Sequence, residues 1–201
     1  DNVAPFFMQF FIKKLYNTPM KFLTYSLLLL TYLSASTLNL SMSSSPSRLN
    51  PILANDSASS EISDWLFNGL FKYDKNGNPT VELAKSYNFE TPTKLIIKLR
   101  EDVLWHDNVK LTSKDIIFTY EKIIDPKVFN SIKSNFQEVQ SVKALDDYTI
   151  EVIYKNPYFK ALETWMVGIL PYHLLKDEKD LMTSSFNKNP IGTGSYKLKE
   201  F

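Results

Sequence analysis

Residues 94–126 read KLIIKLREDVLWHDNVKLTSKDIIFTYEKIIDP, and the change of period inside this stretch decides the fold class. Leu95, Ile97 and Leu99 fall on alternate positions, the pattern of a strand packed on at least one face. From Thr112 the period changes. Thr112-Ser113-Lys114-Asp115 has the form of a capping box, and Ile116, Ile117, Tyr120, Ile123 and Ile124 then lie on one helical stripe that Pro126 ends. The sequence therefore predicts a mixed α/β protein in which a helix over residues 113–124 covers the buried face of a strand over residues 94–100.

The pattern continues in both directions. Downstream, Val139–Val142 and Tyr148–Tyr154 read as strands joined through Asp146-Asp147, Phe159–Met166 reads as a helix, and Tyr196–Lys199 alternates like a strand. Upstream, Phe71–Tyr73 and Thr80–Leu83 flank the tight-turn pair Asn76-Gly77. Ile62, Trp65, Leu66, Gly69 and Leu70 recur at helical spacing behind the polar run Asp56–Ser60, and Leu38–Met42 alternates as a further strand. There is no internal repeat.

Composition narrows the function classes. The chain has 201 residues, 44% hydrophobic and 22% charged, enough apolar material for a core, and its formal charge of +1 offers no broad footprint for nucleic acid. The absence of cysteine removes disulfides, thiolate metal sites, a cysteine nucleophile and a lipoprotein's modified cysteine. Lys21, the apolar run Phe22–Leu33 and Ser34-Ala35-Ser36 follow the basic, apolar, small-residue order of a cleaved signal peptide, with cleavage expected before Thr37. The run is shorter than the roughly 20 residues of a bilayer-spanning helix. Residues 1–19 read as an upstream extension before Met20. The competing reading makes residues 6–33 an uncleaved anchor, and the body a membrane-tethered interaction domain.

Chemistry has few places to reside. His106 and His173 lie in different segments and neither has a helical partner of metal-binding type, so no metal site is assigned. His106-Asp107 reads as part of a turn rather than a base with its orienting carboxylate, and no Gly-x-Ser-x-Gly elbow supplies a nucleophile. Asn189-Pro190-Ile191-Gly192-Thr193-Gly194-Ser195-Tyr196 lacks the lysine and the following helix of a phosphate loop; its glycines instead allow close backbone approach. No catalytic residue and no cofactor is expected.

Several strings then fit one pattern in order: Leu49-Asn50-Pro51, Asn68-Gly69-Leu70, Tyr73-Asp74 before Asn76-Gly77, Leu83-Ala84-Lys85-Ser86-Tyr87, Lys98-Leu99-Arg100, Val103-Leu104-Trp105-His106-Asp107, Thr112–Ile116 and the Gly192-Thr193-Gly194 segment. From about Leu38 to Phe201 the chain resembles the N-terminal part of the family 5 extracellular solute-binding proteins, periplasmic receptors of peptide and nickel ABC importers. Two positions depart from the pattern: Asn108 stands where glycine is usual, and Ser195 where proline is usual.

The resemblance implies a periplasmic-binding-protein-like class II fold of which only the N-terminal portion is present, the second lobe being absent. Residues 37–64 and 187–201 would belong to the first lobe, and residues 65–186 to a smaller α/β domain packed on it. It implies a monomeric, non-enzymatic receptor for short peptides that hands its ligand to a membrane permease; nickel or another small solute is the alternative on the same scaffold. The ligand-facing residues would be Ala54, Asn55, Ser57, Ser59, Trp165 and Met166. Core packing competes for Trp165, and helix capping for Asn55, Ser57 and Ser59.

Expressed with its leader in a Gram-negative host, the protein is expected in the soluble periplasmic fraction with a mature start near Thr37. Recovery only in carbonate-washed membranes with residues 1–36 intact would overturn the leader reading.

Overall fold

The computed structural model describes residues 40–42 and 44–201. The expected leader and most of the strand expected over Leu38–Met42 lie outside the described residues; Leu40, Ser41 and Met42 carry no regular structure. Helix α1 spans Ser57–Leu66. Strands β1 (Phe71–Tyr73) and β2 (Pro79–Val81) form a small hairpin. Strands β3 (Ala84–Thr91), β4 (Lys94–Leu99), β5 (Val139–Asp146) and β6 (Thr149–Tyr154) form an antiparallel sheet of order β3-β4-β6-β5, with helix α2 (Ser113–Ile124) between β4 and β5 in the chain.

The two central strands behave as their alternation requires. Leu95, Ile97 and Leu99 are buried, and Leu95 stands opposite Val152 and Ile97 opposite Ile150, so apolar pairs line one face across the strand boundary. The other face carries Lys94, which bridges Glu90 at 2.9 Å and Glu151 at 2.8 Å. Ile116 and Ile123 of α2 belong to the same apolar core, and the helix lies nearest to β5. The expected stripe needs adjusting, since Ile124 is exposed and the buried positions include Ser113, Asp115, Phe118 and Thr119.

Those buried polar residues tie α2 to its surroundings. Ser113 donates from its amide to the Asp147 carbonyl at 2.8 Å and from its hydroxyl to the Asp146 carbonyl at 2.7 Å, clipping the helix start to the β5–β6 turn. Asp115 accepts from the amides of Thr112 and Tyr172, each at 2.8 Å. Burial raises its carboxyl above the ordinary value by more than those amides lower it. Thr119 donates to the Asp115 carbonyl and accepts from the Leu170 amide at 2.8 Å. The buried side chains of Ser113, Asp115 and Thr119 are thus each hydrogen-bonded, as a low-dielectric interior favours.

The predicted hairpin forms. Asp74 Oδ1 accepts from the amides of Asn76 at 2.8 Å and Asn78 at 2.9 Å, while Gly77 takes a φ of 81°, a region that side chains disfavour. Three expectations are corrected. The helix drawn through Leu70 stops at Leu66, where Phe67 becomes extended; its buried stripe is Ala58, Ser59, Ser63 and Leu66. Over Phe159–Met166 there is only a 3-10 turn at Glu163–Met166, because the preceding residues are held by side chains: the Tyr154 hydroxyl donates to the Ala161 carbonyl at 2.7 Å. Tyr196–Lys199 forms no strand; the Tyr196 amide bonds the Trp65 carbonyl instead.

Ile97→Ala is expected to cost roughly 2–5 kcal/mol and Lys98→Ala under about 0.5 kcal/mol in denaturant unfolding. Equal effects would mean the strand faces are exchanged.

Candidate functional site

A cavity of about 500 Å³ opens beside helix α1. One side is built by Ser60, Ser63 and Asp64 of the helix together with Ala54 and Pro51 from the loop before it. Phe67, Asn68 and Gly69 continue that side, and Lys72, Tyr73 and Glu82 close it from the small hairpin. Opposite stand Ile132, Asn135 and Phe136 of a 3-10 stretch (Ser131–Phe136), with Glu163, Thr164 and Met166–Gly168. Two backbone hydrogen bonds lock the sides together, Leu70 amide to Trp165 carbonyl at 2.8 Å and Ile169 amide to Asn68 carbonyl at 3.1 Å.

The charges in this cavity are unevenly matched. Lys72 is held by Glu82 at 3.2 Å, and a Glu82 oxygen also accepts from the Gly69 amide. Among the described residues, Asp64 and Glu163 have no hydrogen-bonding or ionic partner. Partial burial, and then the nearby negative charge of Glu82, raise the Asp64 carboxyl above the ordinary value. The Ser63 hydroxyl is buried with no partner.

The six residues expected at a ligand separate into groups. Ala54 and Met166 line the cavity. Asn55 is exposed, and its Oδ1 accepts from the Ser131 hydroxyl at 3.2 Å; Ser57 is exposed at the first position of α1. Ser59 is fully buried in a capping network, donating from its amide and hydroxyl to Asp56 at 2.8 Å and 2.7 Å. Hydrogen bonds from the hydroxyls of Ser59 and Ser47, then from the Ser59 amide, hold the Asp56 carboxyl down at about 2. Trp165 is 1% exposed, donates from Nε1 to the Tyr154 hydroxyl at 3.0 Å and meets Phe136 edge-on, with ring centroids 5.3 Å apart. It supports the cavity wall from behind.

Asp64, Glu82, Asn135 and Glu163 were not anticipated. They come from segments far apart in the chain, and no local spacing links them; the only sequence signal was Asp64 standing beside the apolar pair Trp65-Leu66.

Both histidines serve the scaffold. His106 Nδ1 accepts from the Gly192 amide at 3.2 Å, which leaves the proton on Nε2, 2.9 Å from the Gly194 carbonyl. His173 Nε2 pairs with Asp107 at 2.8 Å. Among the described residues no group of three or more His, Asp or Glu side chains converges on a metal position. The segment His106 holds passes under α1, where the Gly194 amide bonds the Leu66 carbonyl at 2.8 Å. A Cβ on Gly192 would sit 1.8 Å from that same carbonyl oxygen.

Residues 78–201 match the middle part of the bacterial extracellular solute-binding proteins, family 5. The oligopeptide-binding protein AppA of Bacillus subtilis is 32% identical over 166 residues, 78% of this chain and 30% of the relative. The periplasmic oligopeptide-binding protein OppA of Salmonella typhimurium is 26% identical over 71% of this chain and 30% of its own length. Among solved structures, NikZ from Campylobacter jejuni in complex with Ni(L-His) superposes with a TM-score of 0.70 at 36% identity, covering 82% of this chain and 32% of that one. Bacillus subtilis AppA in complex with a nonapeptide gives 0.71 at 30% identity, covering 78% and 32%. The chain thus spans about 30% of the length of these curated relatives.

Gly192→Ala is expected to destabilise by about 2–3 kcal/mol, because a backbone carbonyl cannot move aside. Gly77→Ala, with open space but a positive φ, should cost about 1 kcal/mol. Thermal unfolding of the two variants checks the order.

Proposed function

Because the chain belongs to the bacterial extracellular solute-binding proteins of family 5, we propose that it forms one wall of a two-lobed clamp that binds short peptides outside the cytoplasm and delivers them to a membrane importer. The observation that carries this reading is the cavity beside α1. It is concave, it mixes apolar residues (Ala54, Phe136, Met166) with polar ones, and it is open on one side, as the near wall of a clamp would be. In this reading residues 37–64 and 187–201 start the first lobe, and residues 65–186 form the smaller domain leaning on it. The leader would be removed on export, and no step of catalysis is involved. Main-chain hydrogen bonding to an extended peptide would supply affinity, with roomy pockets for side chains.

One observation favours a second ligand class. The 36% identity to a protein solved with Ni(L-His) supports a small metal chelate on the same wall.

The test is calorimetry with di- to pentapeptides and with Ni(L-His). This chain alone encloses too little ligand surface to bind tightly enough for a measurable calorimetric signal. A chimaera joining it to the second lobe of the 32%-identical Bacillus subtilis relative is expected to bind peptides at micromolar concentrations or tighter. A chimaera that melts cooperatively yet gives flat titrations with every peptide would overturn the peptide reading, and heat only with Ni(L-His) would replace it with the second.

A further inference from the structure

Taking the cavity beside α1 to be a ligand wall, as proposed above, we infer that it selects a positively charged group on its ligand, of the kind a lysine or arginine side chain carries in a short peptide. Three features point the same way. The cationic side chain of the cavity, Lys72, is already bonded to Glu82 at 3.2 Å, so it offers little to an anion. Asp64 and Glu163 line the same space from opposite sides, and neither has a partner among the described residues. Any anion entering would meet two uncompensated carboxylates, whereas an ammonium or guanidinium group would compensate them.

The third feature is independent of charge. Ser63 is only 3% exposed and lines the cavity beside Asp64, yet its hydroxyl oxygen has no hydrogen-bonding partner. A buried hydroxyl without a partner is costly, and a ligand N–H would satisfy its acceptor capacity. The desolvation that raises the Asp64 carboxyl also strengthens its attraction for an incoming cation. Tyr73, more than half exposed, brings an aromatic ring to the same cavity. A bare metal ion fits less well, because among the described residues no three His, Asp or Glu side chains converge. Carboxylates on separate segments suit a group with several N–H donors on a flexible stem.

The test reads backbone amide shifts of the 15N-labelled 201-residue chain titrated to millimolar concentrations with Ala-Lys-Ala, Ala-norleucine-Ala and Ala-Glu-Ala. The expected result is that the amides of Asn68, Gly69 and Gly168 move, with a Kd for Ala-Lys-Ala about fivefold below that for the norleucine peptide, the ratio two half-exposed ion pairs would give. The double variant Asp64→Asn with Glu163→Gln should bring the two peptides together, while Asp125→Asn, away from the cavity, leaves the preference intact. Well-dispersed spectra of the variants establish that they are folded. Equal affinities for all three peptides in the parent chain would overturn the charge selection and leave the wall as a general peptide surface. The absence of shifts at these amides with any peptide would overturn the reading of the cavity as a ligand wall.

Discussion

A helix leaves its last carbonyls without donors, and how α1 meets that requirement governs most of what surrounds it. The Ser63 carbonyl is satisfied by the Phe67 amide, but those of Trp65 and Leu66 accept from Tyr196 and Gly194, residues from the far end of the chain. Only a backbone without side chains can come so close, which is why glycines stand at 192 and 194. His106 holds the same segment from its other side with both ring nitrogens. With the helix end fixed, Asn68 and Leu70 bond to the backbone of Ile169 and Trp165, and the cavity beside α1 is defined.

The sheet reaches this arrangement through polar as well as apolar contacts. Tyr154, the last residue of β6, uses its hydroxyl twice, donating to the Ala161 carbonyl and accepting from Trp165. Trp165 then packs against Phe136, which faces the cavity. On the other flank, Asp115 and Thr119 of α2 secure the chain at Leu170 and Tyr172. Residues 165–172 are therefore held from the sheet, from the segment that follows α1 and from α2. A segment braced in three directions can hold the short 3-10 turn that carries Glu163 and Met166 at fixed positions.

What could be read from the sequence was whatever is decided locally. The alternation of Leu95, Ile97 and Leu99, the Thr112–Asp115 box and the Asn76-Gly77 turn each reflect neighbours within a few residues, and each has its expected form. Strand β3 carried little signal because only Ala84 of its eight residues is buried, as befits an edge. The turns over Phe159–Met166 resembled a helix because Ala161 and Trp165 are apolar at helical spacing, yet long-range hydrogen bonds from Tyr154 fix them. The alternation of Tyr196–Lys199 was read as a strand, but its donors go to helix carbonyls. The candidate site was half legible for the same reason. Ala54 and Met166 were reached through family resemblance, whereas Asp64 and Glu163 meet only when distant segments close.

The pairing of Asn50 with Asn187 ties together distant parts of the chain. Asn50 is fully buried, its Nδ2 donates to Asn187 Oδ1 at 3.0 Å, and the Leu49 amide bonds the Asn187 carbonyl at 2.7 Å across a separation of well over a hundred residues. Closing so long a loop is entropically unfavourable until the intervening hairpins have shortened the effective path. The β3–β4 and β5–β6 hairpins close short loops at their own turns, whereas the Asn50–Asn187 clasp closes a long one. The clasp therefore leans on elements it never touches: loosening the β3–β4 or β5–β6 turn would lengthen the loop that Asn50 and Asn187 must close.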